Sequence, residues 1–323
     1  MSHLKIDSSA RLIGRLRLGD NVYVAQGSVI RSNDDSITIG NTTWVLENSV
    51  LVGTSDHPLK VGSKTVFGHK CIAIGAEIGD LCEIGNCVVI LPGSKIGNMC
   101  IFGEGTIIPQ NAVIPDESVV VGRPGRIIRS LTKDDKDMIS RMRGNDVKLS
   151  AYEENIVENE QKEGEAMGKI YEYNGKFPQI SESAFIFDSA EVTGDVVIGS
   201  NSVIGSGVRI IGNSHGPVRI GSNVQILENS VLHLLPDNEL VIEDNVIIGP
   251  GCMIHGTTIG SNSIIESGSI ICDYSKLGEN TLVKSGTLVK QRSIFSGNEI
   301  LEGYPAKNIG FNTEKLKKPD WAI

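Results

Sequence analysis

Three histidines stand at positions where the two halves of the chain differ. The halves are copies of each other, because Leu46–Leu51 and Leu227–Leu232 have the same sequence and lie 181 residues apart. Each copy keeps a histidine that the other has replaced: His233 corresponds to Val52, His255 to Ile74, and His69 to Pro250. Neutral imidazole is the commonest metal ligand in proteins. The non-overlapping losses therefore point to one metal site that draws ligands from both copies.

Composition limits the classes of protein to consider. A chain of 323 residues is long enough for two domains, and an aromatic content of only 5% is natural for a narrow solenoid. The net charge of −9 and the lack of a basic stripe argue against nucleic acid as a partner. No apolar run approaches transmembrane length and the N-terminal residues lack the apolar core of a signal peptide, so we expect no membrane partner.

The cysteines indicate the compartment. They are scattered and form no CxxC pair: Cys71, Cys82, Cys87, Cys100, Cys252 and Cys272. We interpret them as small buried apolar residues in a reducing environment, which predicts a cytoplasmic location.

A six-residue period must position the histidines. Aliphatic or aromatic residues recur every sixth position in both copies: Ile78, Ile84, Ile90, Ile96, Phe102, Ile108, Ile114 and Val120, then Ile259, Ile265, Ile271, Leu277, Val283, Val289 and Phe295. An amphipathic helix needs apolar spacings of three and four, and a half-buried strand needs alternation. A period of six fits neither and is typical of a hexapeptide β-helix, in which three hexads make one coil.

The period also sets the domain boundaries. We predict a first β-helix lobe over residues 1–129, a helical and acidic linker over 130–176, and a second lobe over 177–323. Thr132 is the expected N-cap of the linker helix, with Asp135 at its third position. The acidic stretch Glu153–Glu165 is expected to be helical or partly disordered.

The spacing of the second copy's histidines predicts that they share one edge of the coil stack. His255 follows His233 by 22 residues, which is one coil of 18 plus an excess that a loop at Leu235–Glu239 can hold. Both directly follow the repeated aliphatic residue of a hexad, so they should lie about 4.8 Å apart in successive coils. That separation suits two imidazoles on one metal. His69 belongs to a different face and can reach such an edge only from a lobe packed alongside.

The motifs around these histidines resemble the γ-class carbonic anhydrase family, in both lobes. The residues that carry the resemblance are Val231-Leu232-His233, Ile248-Gly249-Pro250, Met253-Ile254-His255-Gly256 and Gly303-Tyr304-Pro305, with Phe67-Gly68-His69 and Gly122-Arg123-Pro124 in the first lobe. The resemblance implies an all-β fold of two tandem left-handed parallel β-helices. It also implies a trimeric arrangement of lobes, in which two histidines of one lobe and one of its neighbour hold the metal.

Carried over by position, the metal ligands are His233 and His255 on one side and His69 on the other. The metal would be Zn²⁺ or another divalent first-row ion such as Fe²⁺ or Co²⁺, with an open fourth position. The functional protein would be a homo-oligomer in which unlike lobes pack together. Its substrate would be a small molecule, and CO₂ hydration is the leading reaction.

The resemblance also nominates catalytic residues. Gln225 stands where the family orients the reacting water, although Leu227 has replaced the second residue of that pair. Arg31 stands at the family's interface arginine and Glu228 at its acidic interface position. An Arg31–Glu228 pair between unlike lobes is therefore expected.

Two alternatives come from other classes of protein. Thr54-Ser55-Asp56-His57-Pro58 is similar to the catalytic-histidine loop of hexapeptide acyltransferases, in which a histidine acts as general base while acyl-CoA lies between coils. The second alternative is a non-catalytic scaffold that retains only the coil. Metal content separates the first hypothesis from these two, and binding of coenzyme A separates the two from each other.

Overall fold

The computed structural model describes residues 4–159, 168–213 and 216–323. The chain forms two compact units, Met1–Gln161 and Lys162–Ile323. Each unit is a left-handed β-helix of short parallel strands, as the six-residue period and the resemblance predict.

The first unit has three faces. One face is an eight-stranded sheet, in spatial order Lys5–Ile6, Tyr23–Val24, Trp44–Val45, Val66–Phe67, Glu83–Ile84, Ile101–Phe102, Ser118–Gly122 and Gly125–Ser130. The other two faces join through the long strand Arg11–Leu18. On one side of it lie Val29–Ser32, Val50–Gly53, Ile72–Ile74, Val89–Ile90 and Ile107–Ile108, and on the other Ile37–Ile39, Leu59–Val61, Glu77–Ile78, Lys95–Ile96 and Val113–Ile114.

The second unit repeats this plan with three separate sheets. The sheet called here the histidine face contains Lys169–Tyr171, Glu191–Gly194, Arg209–Gly212, Val231–Leu232, Met253–Ile254, Ile270–Ile271 and Leu288–Val289. The next contains Gln179–Ile180, Val196–Ile198, Val218–Ile220, Leu240–Ile242, Thr258–Ile259, Lys276–Leu277 and Ile294–Phe295. The third, called here the tail face, contains Phe185–Ile186, Val203–Ile204, Gln225–Ile226, Ile247–Ile248, Ile264–Ile265, Leu282–Val283, Glu299–Gly303 and Ala306–Phe311.

The repeated aliphatic residue of each hexad points into the coil. Leu51 and Leu232, which occupy equivalent positions, are both fully buried in the cores of their units. Burial of one such side chain contributes about 1.5–3 kcal/mol. Three residues before this leucine, each copy turns a corner at an asparagine in the left-handed region, Asn48 at φ 59° and Asn229 at φ 56°. Asparagine tolerates this conformation better than most residues, which explains why both copies have asparagine at this corner.

Both coil stacks end in the same hairpin. Ser118–Gly122 pairs antiparallel with Gly125–Ser130, and Glu299–Gly303 pairs in the same way with Ala306–Phe311. A cis proline closes each turn, after Arg123 and after Tyr304. The duplication is thus preserved to the hairpin that ends each coil stack.

A helix follows the first hairpin, as predicted. It spans Lys133–Met142 and begins with a capping box between Thr132 and Asp135. Within this helix Ile139 is fully buried, whereas Met142 near its end is 54% exposed. Arg143, directly after the helix, also attaches it to the eight-stranded face: its Nη2 lies 2.6 Å from Oε1 of Glu83.

The acidic stretch after the helix differs from expectation. Residues Asn155–Asn159 form a β-strand that pairs antiparallel with Arg11–Leu18, whereas the sequence suggested helix or disorder. The long strand offers an open edge, and Arg17 places Nη1 3.0 Å from Oε1 of Glu154. Tertiary pairing therefore overrides the local propensity of glutamate-rich sequence. The rest of that stretch, residues 160–165, lies outside the described residues.

The C-terminal tail lies along the tail face. Asn280 binds it through contacts to Asn312, Glu314 and Leu316, and Gln225 binds Ile323. Trp321 and Ala322 are buried between these attachments. Among the described residues, no helix is long and apolar enough to cross a membrane.

Candidate metal centre

His233 and His255 meet at one corner of the second unit. The strands Val231–Leu232 and Met253–Ile254 pair in register on the histidine face, and each histidine directly follows its strand. The backbone N–H of His233 donates to the carbonyl of Ile254 at 3.0 Å. The two ring centroids lie 5.9 Å apart with the planes at 89°. The corner thus places two imidazoles side by side in successive coils.

A buried carboxylate holds one of the two rings. Oδ2 of Asp273 lies 3.0 Å from Nδ1 of His255, and the Asp273 side chain is only 8% exposed. With Nδ1 bonded to Asp273, the nitrogen of His255 that remains for a ligand is Nε2. Metal-binding histidines characteristically donate their other N–H to such a carboxylate. The chemistry of this pair fits a metal ligand.

Asp273 is absent from the residues predicted above, although its position in the sequence carries a signal. Asp273 follows His255 by 18 residues, which is one coil. A residue one coil further on returns to the same corner of the stack. The period that placed His255 against His233 therefore also places Asp273 against His255.

The other ring has a weaker polar contact. Nε2 of His233 lies 3.4 Å from Nδ2 of Asn213, in the coil before it. His215 lies outside the described residues.

His69 stands in the first unit, two residues after the strand Val66–Phe67. Its Nδ1 lies 2.6 Å from Oε2 of Glu47, and its side chain is 54% exposed. As in His255, a carboxylate lies against Nδ1, so Nε2 of His69 remains for a ligand.

Apolar residues fill the ligand positions that the first copy has lost. Arg31, Val52 and Ile74 are successive Cα partners on adjacent strands, and all three are buried. Nη1 of Arg31 donates to Oδ1 of Asn33 at 3.2 Å. The corner that holds two histidines in the second unit is therefore packed with aliphatic side chains in the first.

The remaining candidates of the second unit lie elsewhere in the coil. Gln225 belongs to the tail face, where its Oε1 accepts from the N–H of Ile323 at 2.9 Å and its Nε2 donates to the carbonyl of the same residue. Glu228 is buried at the corner between the tail face and the histidine face. The structure does not bring Gln225 together with the histidines of its own unit.

Within the described residues, neither unit by itself brings a third ligand side chain to a candidate site. No group of three His, Cys, Asp or Glu side chains there could hold a metal ion. Burial raises the pKa of the Cys71 and Cys252 thiols to about 12, which keeps them protonated. The candidate ligands remain His233 and His255 in the second unit and His69 in the first, as the sequence predicts.

His57 lies in a closed turn. Its N–H donates to Oγ1 of Thr54 at 3.0 Å, and the N–H of Thr54 donates to the carbonyl of His57 at the same distance. The turn connects Val50–Gly53 to Leu59–Val61, so it occupies the same connection as the Leu235–Glu239 loop of the second unit.

Comparison with known proteins gives matches in both units. Residues 240–273 match the family model "Bacterial transferase hexapeptide (six repeats)", and residues 58–92 match "Hexapeptide repeat of succinyl-transferase". These models describe the coil repeat in which the candidate ligands are placed.

Three curated proteins represent the relatives. A carbonic anhydrase of Geobacillus kaustophilus is 44% identical over 145 residues, covering 45% of this chain and 79% of the relative. The mitochondrial gamma carbonic anhydrase 1 of Arabidopsis thaliana is 33% identical, covering 41% of this chain and 50% of the relative. The uncharacterized transferase YtoA of Bacillus subtilis is 44% identical, covering 29% and 54%. With hexapeptide coils in both units and this identity to a carbonic anhydrase over more than two thirds of its length, the chain belongs to the γ-class carbonic anhydrase-like family of hexapeptide-repeat proteins, as two tandem copies.

Proposed function

We propose that this chain is a metal-dependent enzyme that hydrates CO₂ or carries out a related hydration or hydrolysis of a small molecule. The observation that carries the proposal is the corner of the second unit, where His233 and His255 lie in successive coils. Asp273 binds Nδ1 of His255 and so leaves Nε2 for a ligand. Random loss of histidines from two copies would rarely leave one complete, non-overlapping set of ligands.

The third ligand in this proposal is His69, supplied by the first unit of another chain. A homo-oligomer with a trimeric arrangement of lobes, in which unlike lobes pack together, would bring the three imidazoles together. Zn²⁺, or Fe²⁺ or Co²⁺, would supply a Lewis acid that activates water near neutral pH. The relative named carbonic anhydrase makes CO₂ the leading substrate.

The chain's own residues would bind and orient. His69, His233 and His255 would hold the ion, and the carboxylates of Glu47 and Asp273 would fix two of the rings. Arg31 and Glu228, buried near the corners of their coils, would pair between unlike lobes and set their register. Gln225 would orient water only if its amide broke the hydrogen bonds to Ile323 and turned toward the metal site.

The test uses the full chain. Elemental analysis of the purified protein should find a divalent first-row metal, and CO₂ hydration should disappear on chelation and return when Zn²⁺, Fe²⁺ or Co²⁺ is restored. Undiminished hydration by metal-free protein would overturn the proposal.

Acyl transfer is the second candidate, supported by the similarity to the transferase YtoA and by the hexapeptide models in both units. His57 would be its general base. Acyl-CoA-dependent activity that is lost in His57→Ala would favour this reaction. If the purified protein contains no metal and does not bind coenzyme A, the remaining hypothesis is a non-catalytic scaffold. A cytoplasmic location is part of the proposal and rests on the scattered cysteines of the sequence.

A further inference from the structure

The carboxylate of Asp273 bridges a candidate ligand and the loop beside it. Oδ2 lies 3.0 Å from Nδ1 of His255, while Oδ1 accepts from the backbone N–H of Leu235 at 3.0 Å and of Gly256 at 3.1 Å. Oδ1 also lies 3.3 Å from Nδ2 of Asn238. One buried carboxylate is thus fully engaged, with one oxygen on the ring and the other on the backbone.

The first unit shows the same corner without the carboxylate. Pro92 stands at the position of Asp273, in the copy that has also replaced both histidines of this corner. Gly75, the counterpart of Gly256, donates its N–H to the carbonyl of Val52 at 2.9 Å instead. The coil therefore closes this corner without an acid, so the fold itself does not require Asp273.

We propose that Asp273 is a positioning residue for the metal centre, and that it selects Nε2 of His255 as the ligating atom. A carboxylate only accepts hydrogen bonds, so the proton of neutral His255 must sit on Nδ1. The lone pair of Nε2 is then available at the corner that His233 shares. This inference rests on the proposed function for its metal, but the tautomer of His255 is a property of the metal-free protein.

Asp273→Asn is the sharpest substitution, because it changes the chemistry at nearly constant shape. If the new Oδ1 keeps the bonds to Leu235 and Gly256, the new Nδ2 donates toward Nδ1 of His255. The imidazole must then accept a hydrogen bond at Nδ1 and carry its proton on Nε2. A protonated Nε2 has no free lone pair and so cannot bind a metal. We expect metal affinity to fall about 10–100-fold, the usual effect of losing such a partner.

Tyr274→Phe is the matched control. The Tyr274 hydroxyl donates to the carbonyl of Pro236 at 3.1 Å, so it anchors the same loop without touching His255. If Asp273 acted only by anchoring the loop, Tyr274→Phe would reduce metal affinity in the same way.

The experiment has two readouts on the full-length protein. In metal-free, deuterated protein carrying ¹⁵N-histidine, the ring-nitrogen shifts at pH 8 report the tautomer, and His255→Gln identifies the His255 signals. Competition with a chromophoric chelator measures Zn²⁺ affinity. We expect the proton on Nδ1 in the wild type and in Tyr274→Phe, and on Nε2 in Asp273→Asn.

The outcomes separate the two proposals. A wild-type protein with the proton on Nε2, or an Asp273→Asn protein with unchanged tautomer and affinity, would overturn the role of Asp273. Equal losses of affinity in Asp273→Asn and Tyr274→Phe would also overturn it. If the wild type binds no metal, the proposed function fails while the tautomer still decides the role of Asp273. If Asp273→Asn does not fold, the wild-type tautomer alone decides it.

Discussion

Both polar groups of the Gln225 side chain are bonded to the backbone of Ile323. Trp44 stands at the equivalent position of the first unit. The amide that the family resemblance assigns to the reacting water therefore holds the C-terminal tail in this conformation. Two roles for Gln225 follow, and they predict different results.

Gln225→Ala should release the tail. Loss of two hydrogen bonds, each contributing about 1 kcal/mol, should expose Trp321, which is buried beside them. In a Trp44→Phe background Trp321 is the only remaining tryptophan, because the chain has two. Acrylamide quenching of its fluorescence should rise, whereas metal content should stay unchanged.

A truncation after Ala322 is the matched control, since it removes the same bonds and leaves Gln225 intact. Equal quenching and equal kcat in the two variants would assign Gln225 to the tail. A loss of kcat in Gln225→Ala alone would assign it to the reaction, as the sequence predicts.

The coil could be predicted because its cause is repeated. The repeated residue of each hexad is a large apolar side chain that fills the interior, so a single physical requirement appears many times in the sequence. The histidine corner could be placed for the same reason, since His233 and His255 stand at fixed positions in that period.

The features that could not be predicted depend on contacts that occur once in the structure and have no repeating pattern in the sequence. The tail reaches Gln225 across 98 residues, and no local pattern announces such a contact. The strand Asn155–Asn159 forms because the edge of Arg11–Leu18 is open, and its own glutamate-rich surroundings favour helix. Asp273 could have been found by extending the 18-residue coil by one step.

The ion pair that attaches the helix of the first unit should be costly to break. Both Glu83 and Arg143 are largely buried. Arg143→Met leaves the carboxylate without its cation, which costs about 3–5 kcal/mol for buried pairs near neutral pH. Denaturant unfolding followed by Trp44, in a Trp321→Phe background, reports on the first unit, since Trp44 lines a cavity of about 400 Å³ together with Arg143.

The destabilisation should depend on pH. Burial raises the pKa of Glu83, and Arg143 opposes that rise. Without the arginine the folded-state pKa rises further above the unfolded value of about 4.3. A carboxyl whose pKa is raised in the folded state destabilises the fold when it is ionised and no longer does so once protonated. The loss of stability in Arg143→Met should therefore shrink as the pH falls from neutral toward the unfolded-state pKa. In Glu83→Gln/Arg143→Met this pH dependence should be absent. A deficit that is constant with pH in Arg143→Met would contradict the explanation.

Loss of any one candidate ligand should abolish metal binding equally. His69→Ala in the first unit should reduce metal content to background as completely as His233→Ala or His255→Ala in the second. Two imidazoles are too few to hold a first-row metal firmly in an open site. Elemental analysis of the purified variants is the measurement. His57→Ala, which alters another histidine of the first unit, should retain the full content. Full metal content in His69→Ala would show that the first unit supplies no ligand.

Restoring the lost ligand of the second copy asks which lobes meet. Pro250 occupies the position that corresponds to His69, so Pro250→His in a His69→Ala background gives the second unit all three family positions. If only unlike lobes pack together, the new histidine faces the first unit of a neighbour, where Val52 and Ile74 have replaced the other ligands, and metal content should stay at background. Recovery of metal would instead require contacts between second units. We expect no recovery, because the chain has kept one complete set of ligands divided between its copies. Elemental analysis beside the His69→Ala single variant decides between the two assemblies.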